Sequence, residues 1–273
     1  IHSKAETLHN KAVVHHKQGD YNKSVKLHEQ SLAIFVALYG TTSIHTADTL
    51  HNMAMVYHKQ GDHSKAMELY TQSLTIQDAA FGNGSTHTTA DTLLGIADVY
   101  HQQGNFKTAL EFYERSLSIE EASGKGSTSS ALNNMAILYK KQGEMTKALE
   151  LYERNLAMEG GGGSGADTLN NMANIYLSLG NYNKCQELYE RSLAIEEAQH
   201  GPLSASVGDI NSNMCVLQEK IGNLDLAFHF IERALVCYND AYGPGHSDTC
   251  EAQRRVDTHT RRRVDTHLCR LAE

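Results

Sequence analysis

The stretch "ADTLNNMANIYLSLGNYNKCQELYERSLAIEEAQHG", residues 166–201, decides the fold, because the chain nearly says it again elsewhere. "ADTLHNMAMVYHKQGDHSKAMELYTQSLTIQDAAFG" fills 47–82, and "SSALNNMAILYKKQGEMTKALELYERNLAME" fills 129–159. A glycine recurs at 19, 61, 104, 143, 180 and 222, at intervals of 42, 43, 39, 37 and 42 residues. Thirteen residues after it stands a leucine: Leu32, Leu74, Leu117, Leu156, Leu193 and Leu235. Eleven before it stands another, at Leu8, Leu50, Leu93, Leu132 and Leu169, with Asn211 the exception. The 24-residue stretch from leucine to leucine keeps its length, while the connections run 18, 19, 15, 13 and 18 residues. A piece of fixed length joined by pieces of variable length is a structural unit plus linkers.

Within the unit the period is helical. Before the glycine, Leu169, Met172, Ala173 and Tyr176 fall at i, i+3, i+4 and i+7. After it, Tyr182, Cys185, Leu188, Tyr189, Ser192, Leu193 and Ile195 keep the same spacing. Asp167–Thr168, like Asp48–Thr49 and Asp91–Thr92, supply side-chain oxygens and negative charge for the start of a first helix, A. Gly180–Asn181 ends it, since glycine reaches left-handed backbone angles at low cost. A second helix, B, then runs back. Small residues mark where A meets B: Ala54, Ala97, Ala136, Ala173 and Cys215 against Ala66, Ala109, Ala148, Cys185 and Ala227. Tyr57, Tyr100, Tyr139 and Tyr176 fill the space beside them. One such hairpin buries too little to offset the entropy of ordering itself, so the six are expected to stack into one cooperative array.

Composition agrees. The 273 residues contain two prolines, no tryptophan and 40% hydrophobic residues, enough for a sizeable helical core. A formal net charge of −8 argues against a general nucleic-acid binder. No apolar run approaches the roughly 20 residues that span a bilayer. The first residue is Ile1, which leaves room for a presequence or further repeats ahead of it. Cys185, Cys215, Cys237, Cys250 and Cys269 form no CxxC pair and read as reduced packing residues of a cytosol-like compartment.

These repeats resemble the tetratricopeptide repeat in its roughly 42-residue form, and "TLNNMANIYLSLGNYNKCQELYERSLAIEE" is most similar to the repeats of kinesin light chains and nephrocystin-3-like proteins. Gly40 with His45, Gly82 with His87 and Gly243 with His246 match the longer inter-repeat loop of those proteins. The resemblance spans about residues 5–245. It implies an all-α, right-handed superhelix of six helix-turn-helix repeats (5–40, 47–82, 90–123, 129–159, 166–201 and 208–243) within an array of 1–248. Residues 249–273 are expected to form a capping helix with a basic tail. Ala252, Val256, Val264, Leu268 and Leu271 would cover the apolar B helix "LAFHFIERALVCY" at 226–238.

The resemblance further implies that A helices line a concave groove for extended peptides. Asparagine stands nine residues before the turn glycine at Asn10, Asn52, Asn134, Asn171 and Asn213, and Gly95 breaks the series. This column matches the family asparagine that bonds a bound peptide's backbone. A primary amide offers donor and acceptor together; the alternative is an amide bonded to the neighbouring repeat. Near the glycine gather His16, Lys17, His58, Lys59, His101, Lys140, Lys141 and Lys220. Lys17, Lys59, His58, His101, Lys140 and Lys141 are candidate contacts for an acidic peptide, the ligand class the resemblance implies, although Asp48, Asp91 and Asp167 make the field mixed.

Several features stand outside the pattern. Lys11, His15, Ser24 and His28 occupy apolar columns of the first unit and read as a polar end cap or an interface to upstream sequence. "GGGGSG" at 160–165 reads as a tether or as engineered or misassigned sequence; it lacks the GK[ST] ending of a phosphate loop. "RRVDTH" occurs at 254–259 and 262–267, as a solvated helix face, a basic docking tail or a duplication artefact. The histidines follow repeat columns and contain no HExxH pair, so no metal, no cofactor and no reaction centre is expected. The chain reads as a non-catalytic adaptor for a protein or peptide. The alternative is a structural subunit of a cytoskeletal, ciliary or organellar assembly.

Overall fold

The computed structural model describes residues 1–81, 87–123, 128–158 and 165–272, with side chains beyond Arg263 and at 87, 123 and 128 excepted. Gly82 and GGGGSG up to Ser164 fall outside the described residues, and the side chains of the second RRVDTH from Val264 onward and of Leu268, Cys269 and Leu271 are likewise not described. Among the described residues there are thirteen α-helices and no strand. The A helices are α1 (His2–Lys17), α3 (Ile44–Lys59), α5 (His87–Gln102), α7 (Thr128–Lys141), α9 (Ala166–Ser178) and α11 (Ala205–Ile221). The B helices are α2 (Tyr21–Tyr39), α4 (His63–Phe81), α6 (Phe106–Ser123), α8 (Met145–Met158), α10 (Tyr182–His200) and α12 (Leu224–Tyr242). A last helix, α13 (Ser247–Ala272), packs on α12.

Two compact units divide the chain, Ile1–Gln142 and Gly143–Glu273, with the boundary at the turn of the fourth A/B pair. The first holds α1 to α7 and the second α8 to α13. Within each unit, A packs on its own B, and B packs on the following A.

The turn glycines 19, 61, 104, 143, 180 and 222 all take positive φ, between 74° and 89°. Their partner function lies one residue on. Asp20, Asp62, Asn105, Asn181 and Asn223 cap the B helices, each accepting a bond from the backbone N–H three residues later. The A helices begin earlier than their aspartates suggest. Ser43 caps α3 and Ser204 caps α11, and α9 starts at Ala166, with Asp167 in its first turn. Asp48 therefore lies inside α3, a full turn past the cap, where it is half-buried.

The small-residue columns are closed to solvent: Ala54, Ala97, Ala136, Ala173 and Cys215 on A, and Ala66, Ala109, Ala148, Cys185 and Ala227 on B, are all fully buried. Side chains of this size let helix axes approach closely. Beside them Tyr70, Tyr113, Tyr152 and Tyr189 form a column of fully buried rings. One polar tie recurs. The hydroxyls of Ser31, Ser73, Ser116 and Ser192 donate at 2.7–2.8 Å to the carbonyls of Ala5, Ala47, Ala90 and Ala166, always 26 residues back and inside the same hairpin.

Two expectations for the first repeat change. Ser24 and His28 do not belong to a polar cap: both are fully buried inside the first hairpin. Ser24 is satisfied by the Ala12 carbonyl at 2.8 Å. His28 lies edge-on to His9 with ring centroids 5.0 Å apart, and neither of its nitrogens has a partner. Cys185, Cys215 and Cys237 are buried and unpaired, whereas Cys250 is exposed and is no packing residue.

Candidate partner-binding face

In the first unit the A helices α1, α3 and α5 border a groove of about 710 Å³. Gly95 of α5 is part of its lining. A Cβ built there would stand 2.5 Å from Cζ of Tyr70, so the tyrosine ring occupies the place that asparagine fills in the other repeats. The break in the asparagine column thus has a steric cause.

The groove walls carry carboxylates. Asp48, Asp91 and Asp98 line it, with Met55 and Leu94 as its apolar surface. Asp98 is anchored by two hydrogen bonds. Its Oδ1 accepts from the Tyr113 hydroxyl at 2.5 Å and from Asn134 Nδ2 at 3.0 Å. Burial nevertheless raises its pKa above the ordinary carboxylate value, against the lowering pull of those bonds and of His58 and His101. Asp48 is also raised by burial, and its Oδ1 has no partner.

The histidines around the groove are uncharged at neutral pH. Burial lowers His51 to about 4, and Nδ1 of its ring lies 3.0 Å from the Thr92 hydroxyl. Burial also holds His9 and His58 below the usual imidazole value.

The asparagine column splits by environment. Asn52 lies in the groove and donates to the Asp48 carbonyl of its own helix at 2.8 Å. Asn134 reaches back to Asp98 in the preceding A helix, and Asn213 donates to Asn170 Oδ1 at 3.1 Å in the second unit. Asn10 is exposed and Asn171 half-buried. Inter-repeat bonding, one of the two roles open to this column, is therefore observed for Asn134 and Asn213. The cationic series is likewise distributed. His58 and Lys59 line the groove. Lys141 Nζ lies 2.9 Å from His101 Nε2, and Lys59 helps lower His16. Burial lowers Lys140, while Lys17 is exposed. The sequence reading missed Asp98. Its signal was a charged residue in a column otherwise held by Val13, Met55, Ile137, Asn174 and Val216.

Away from the groove, the outer surfaces of the B helices carry solvated pairs such as Lys65–Glu68 and Lys184–Glu187. At the other end Cys215, Glu219 and His259 bring ligand-type atoms within 4.8 Å of one another. The cation of that cluster is Arg255, whose Nη2 lies 3.0 Å from Cys215 Sγ and 3.4 Å from Glu219. His259 Nε2 stands 2.8 Å from the same carboxylate. Burial would push Glu219 up, but these bonds and the guanidinium charge bring it below its usual value. The cluster fastens α13 to α11, and Arg263 stacks over Phe228 of α12 at 4.7 Å.

The sequence matches the tetratricopeptide repeat at residues 3–79 and 88–158, and again at 166–198. The chain belongs to the tetratricopeptide-repeat family, whose repeats are protein-interaction modules. Two solved structures are similar to it in fold. Both are of a Podosopora anserina protein described as a candidate kinesin light chain with nearly identical TPR-like repeats. One is a point variant at 22% identity, with a TM-score of 0.60 and coverage of 72% of this chain and 96% of that one. The other is at 22% identity, with a TM-score of 0.59 and coverage of 73% and 98%. No curated protein sequence matches the chain. No helix among the described residues is long and apolar enough to cross a membrane.

Proposed function

We propose that the chain is a non-catalytic adaptor that holds an extended segment of a partner protein along its A-helix face. The observation that carries this reading is the open groove over Gly95, bordered by three A helices and lined by polar atoms without partners, Asp48 Oδ1 and His58 Nε2 among them. A buried polar atom left unpaired costs about 1–3 kcal/mol, and a bound segment can recover part of that cost. Asn52 sits where an amide can meet a peptide unit. Asn10, Asn134, Asn171 and Asn213 extend the column on their own units, and Lys17, Lys59, Lys140, Lys141, His58 and His101 stand at its edge. Unpaired Cys185, Cys215 and Cys237 favour a reducing compartment such as the cytoplasm. The kinesin-light-chain likeness favours a cytoskeletal setting.

A photo-crosslinking residue at Met55, in the groove, is expected to capture partners from native extract, and one at Gln72, on the outer face of α4, is not. Capture from Gln72 alone would overturn the groove reading in favour of a scaffold built on the outer face.

A further inference from the structure

We propose that the groove over Gly95 takes a lysine or arginine side chain of the bound segment, an inference that rests on the groove reading above. The case is one of charge and space. Asp48 and Asp91 stand on neighbouring A helices, Asp98 lies about two turns beyond Asp91 on the same helix, and all three line the same cavity. Against them the lining offers one full positive charge, Lys59, and its side chain is exposed at the rim. The histidines do not offset the acids. Burial keeps His51 near 4 and His58 below its ordinary value, so both rings are neutral at pH 7.

A cationic side chain fits this site in three ways. The Tyr70 ring packs over Gly95 in place of a side chain, and with Met55 and Leu94 it offers a surface on which a long aliphatic stem can lie. Its charged head meets carboxylates that burial has partly stripped of water, where charge-assisted hydrogen bonds are strong. Asp48 Oδ1, which has no partner in the chain, gains one. An acidic side chain at the same place would add a like charge to three aspartates. The acidic ligand implied by resemblance to the kinesin light chains is thus disfavoured at this point of the groove.

The test is selection of a random twelve-residue peptide display library on the intact chain, followed by fluorescence-anisotropy titration of the winners. Lysine or arginine is expected at one position of the winning peptides, several-fold above aspartate and glutamate. Asp48→Asn is expected to weaken those peptides about tenfold, and Lys59→Gln to tighten them a few-fold. The two variants move affinity in opposite directions, which a fold defect cannot do. Met55→Trp fills the groove without changing charge and should abolish binding. Peptides blocked by Met55→Trp but enriched in acids, or indifferent to Asp48→Asn, would overturn the basic-anchor proposal and leave the groove reading standing. An empty selection, or winners that ignore Met55→Trp, would overturn both.

Discussion

His28 shows what one residue can do to a repeat. It stands in the column that elsewhere holds Tyr70, Tyr113, Tyr152, Tyr189 and Ile231, fully buried and without a partner at either nitrogen. Burial, with His9 and His16 nearby, lowers its pKa from 6.5 to about 3. In the unfolded chain it titrates at its ordinary value. Above pH 6.5 the ring is neutral in both states and has no linkage effect. Below it the unfolded state binds a proton that the folded state refuses, so stability falls steadily between pH 6.5 and about 3. By pH 5 this amounts to about 2 kcal/mol. His28→Phe should remove that dependence, which urea melts of both proteins at pH 7.5 and pH 5 would measure; equal losses in both would refute the assignment. Gly95→Asn restores the repeat's usual residue and should still destabilise, by about 1–3 kcal/mol, because its Cβ collides with Tyr70. Thermal denaturation checks this, and a neutral outcome would mean that the ring moves aside. The asparagine column was legible in the sequence; its hydrogen bonds were not. Asn134 finds Asp98 36 residues back, and no spacing rule names the partner of a polar side chain across two repeats.

Elements were the most legible scale. Twelve helices follow from a glycine, two leucines and a small-residue pair recurring at fixed offsets, since each of these residues has a backbone or packing reason. The A-helix starts were less legible. Ser43 and Ser204 are the caps, and the Asp48–Thr49 pair lies a turn inside its helix instead of at the start. The last helix needed the structure more. Ala252 and Val256 cover Ile231 and Ala234, as the apolar pattern implies, but the Glu219–Arg255–His259 cluster joins residues about 40 apart in sequence. Glu219→Ala should leave the buried His259 and the Arg255 guanidinium without their acceptor, at about 2–3 kcal/mol. Amide hydrogen exchange should then accelerate in α13 first. Exchange that quickens equally in α10 would show that the cluster holds more than the final helix.

At the scale of the molecule, each unit carries its own buried core, and within it each helix meets mainly its neighbours in sequence. Stability in such an array is a sum of local terms. Leu93 is fully buried in α5, and Leu93→Ala should cost about 2–5 kcal/mol. Hydrogen exchange resolved by helix should show that loss in α5, α6 and their neighbours while α10 to α12 keep their protection. A uniform loss across both units would favour a single cooperative block.

The serine hydroxyls that reach 26 residues back never leave their own pair of helices. A tie that closes inside its own pair of helices travels with the pair when a repeat is copied or set at a new distance from the next. That portability accounts for how connections of such different length coexist with hairpins of one shape, and it marks the connections as the places where new sequence can be inserted at least cost.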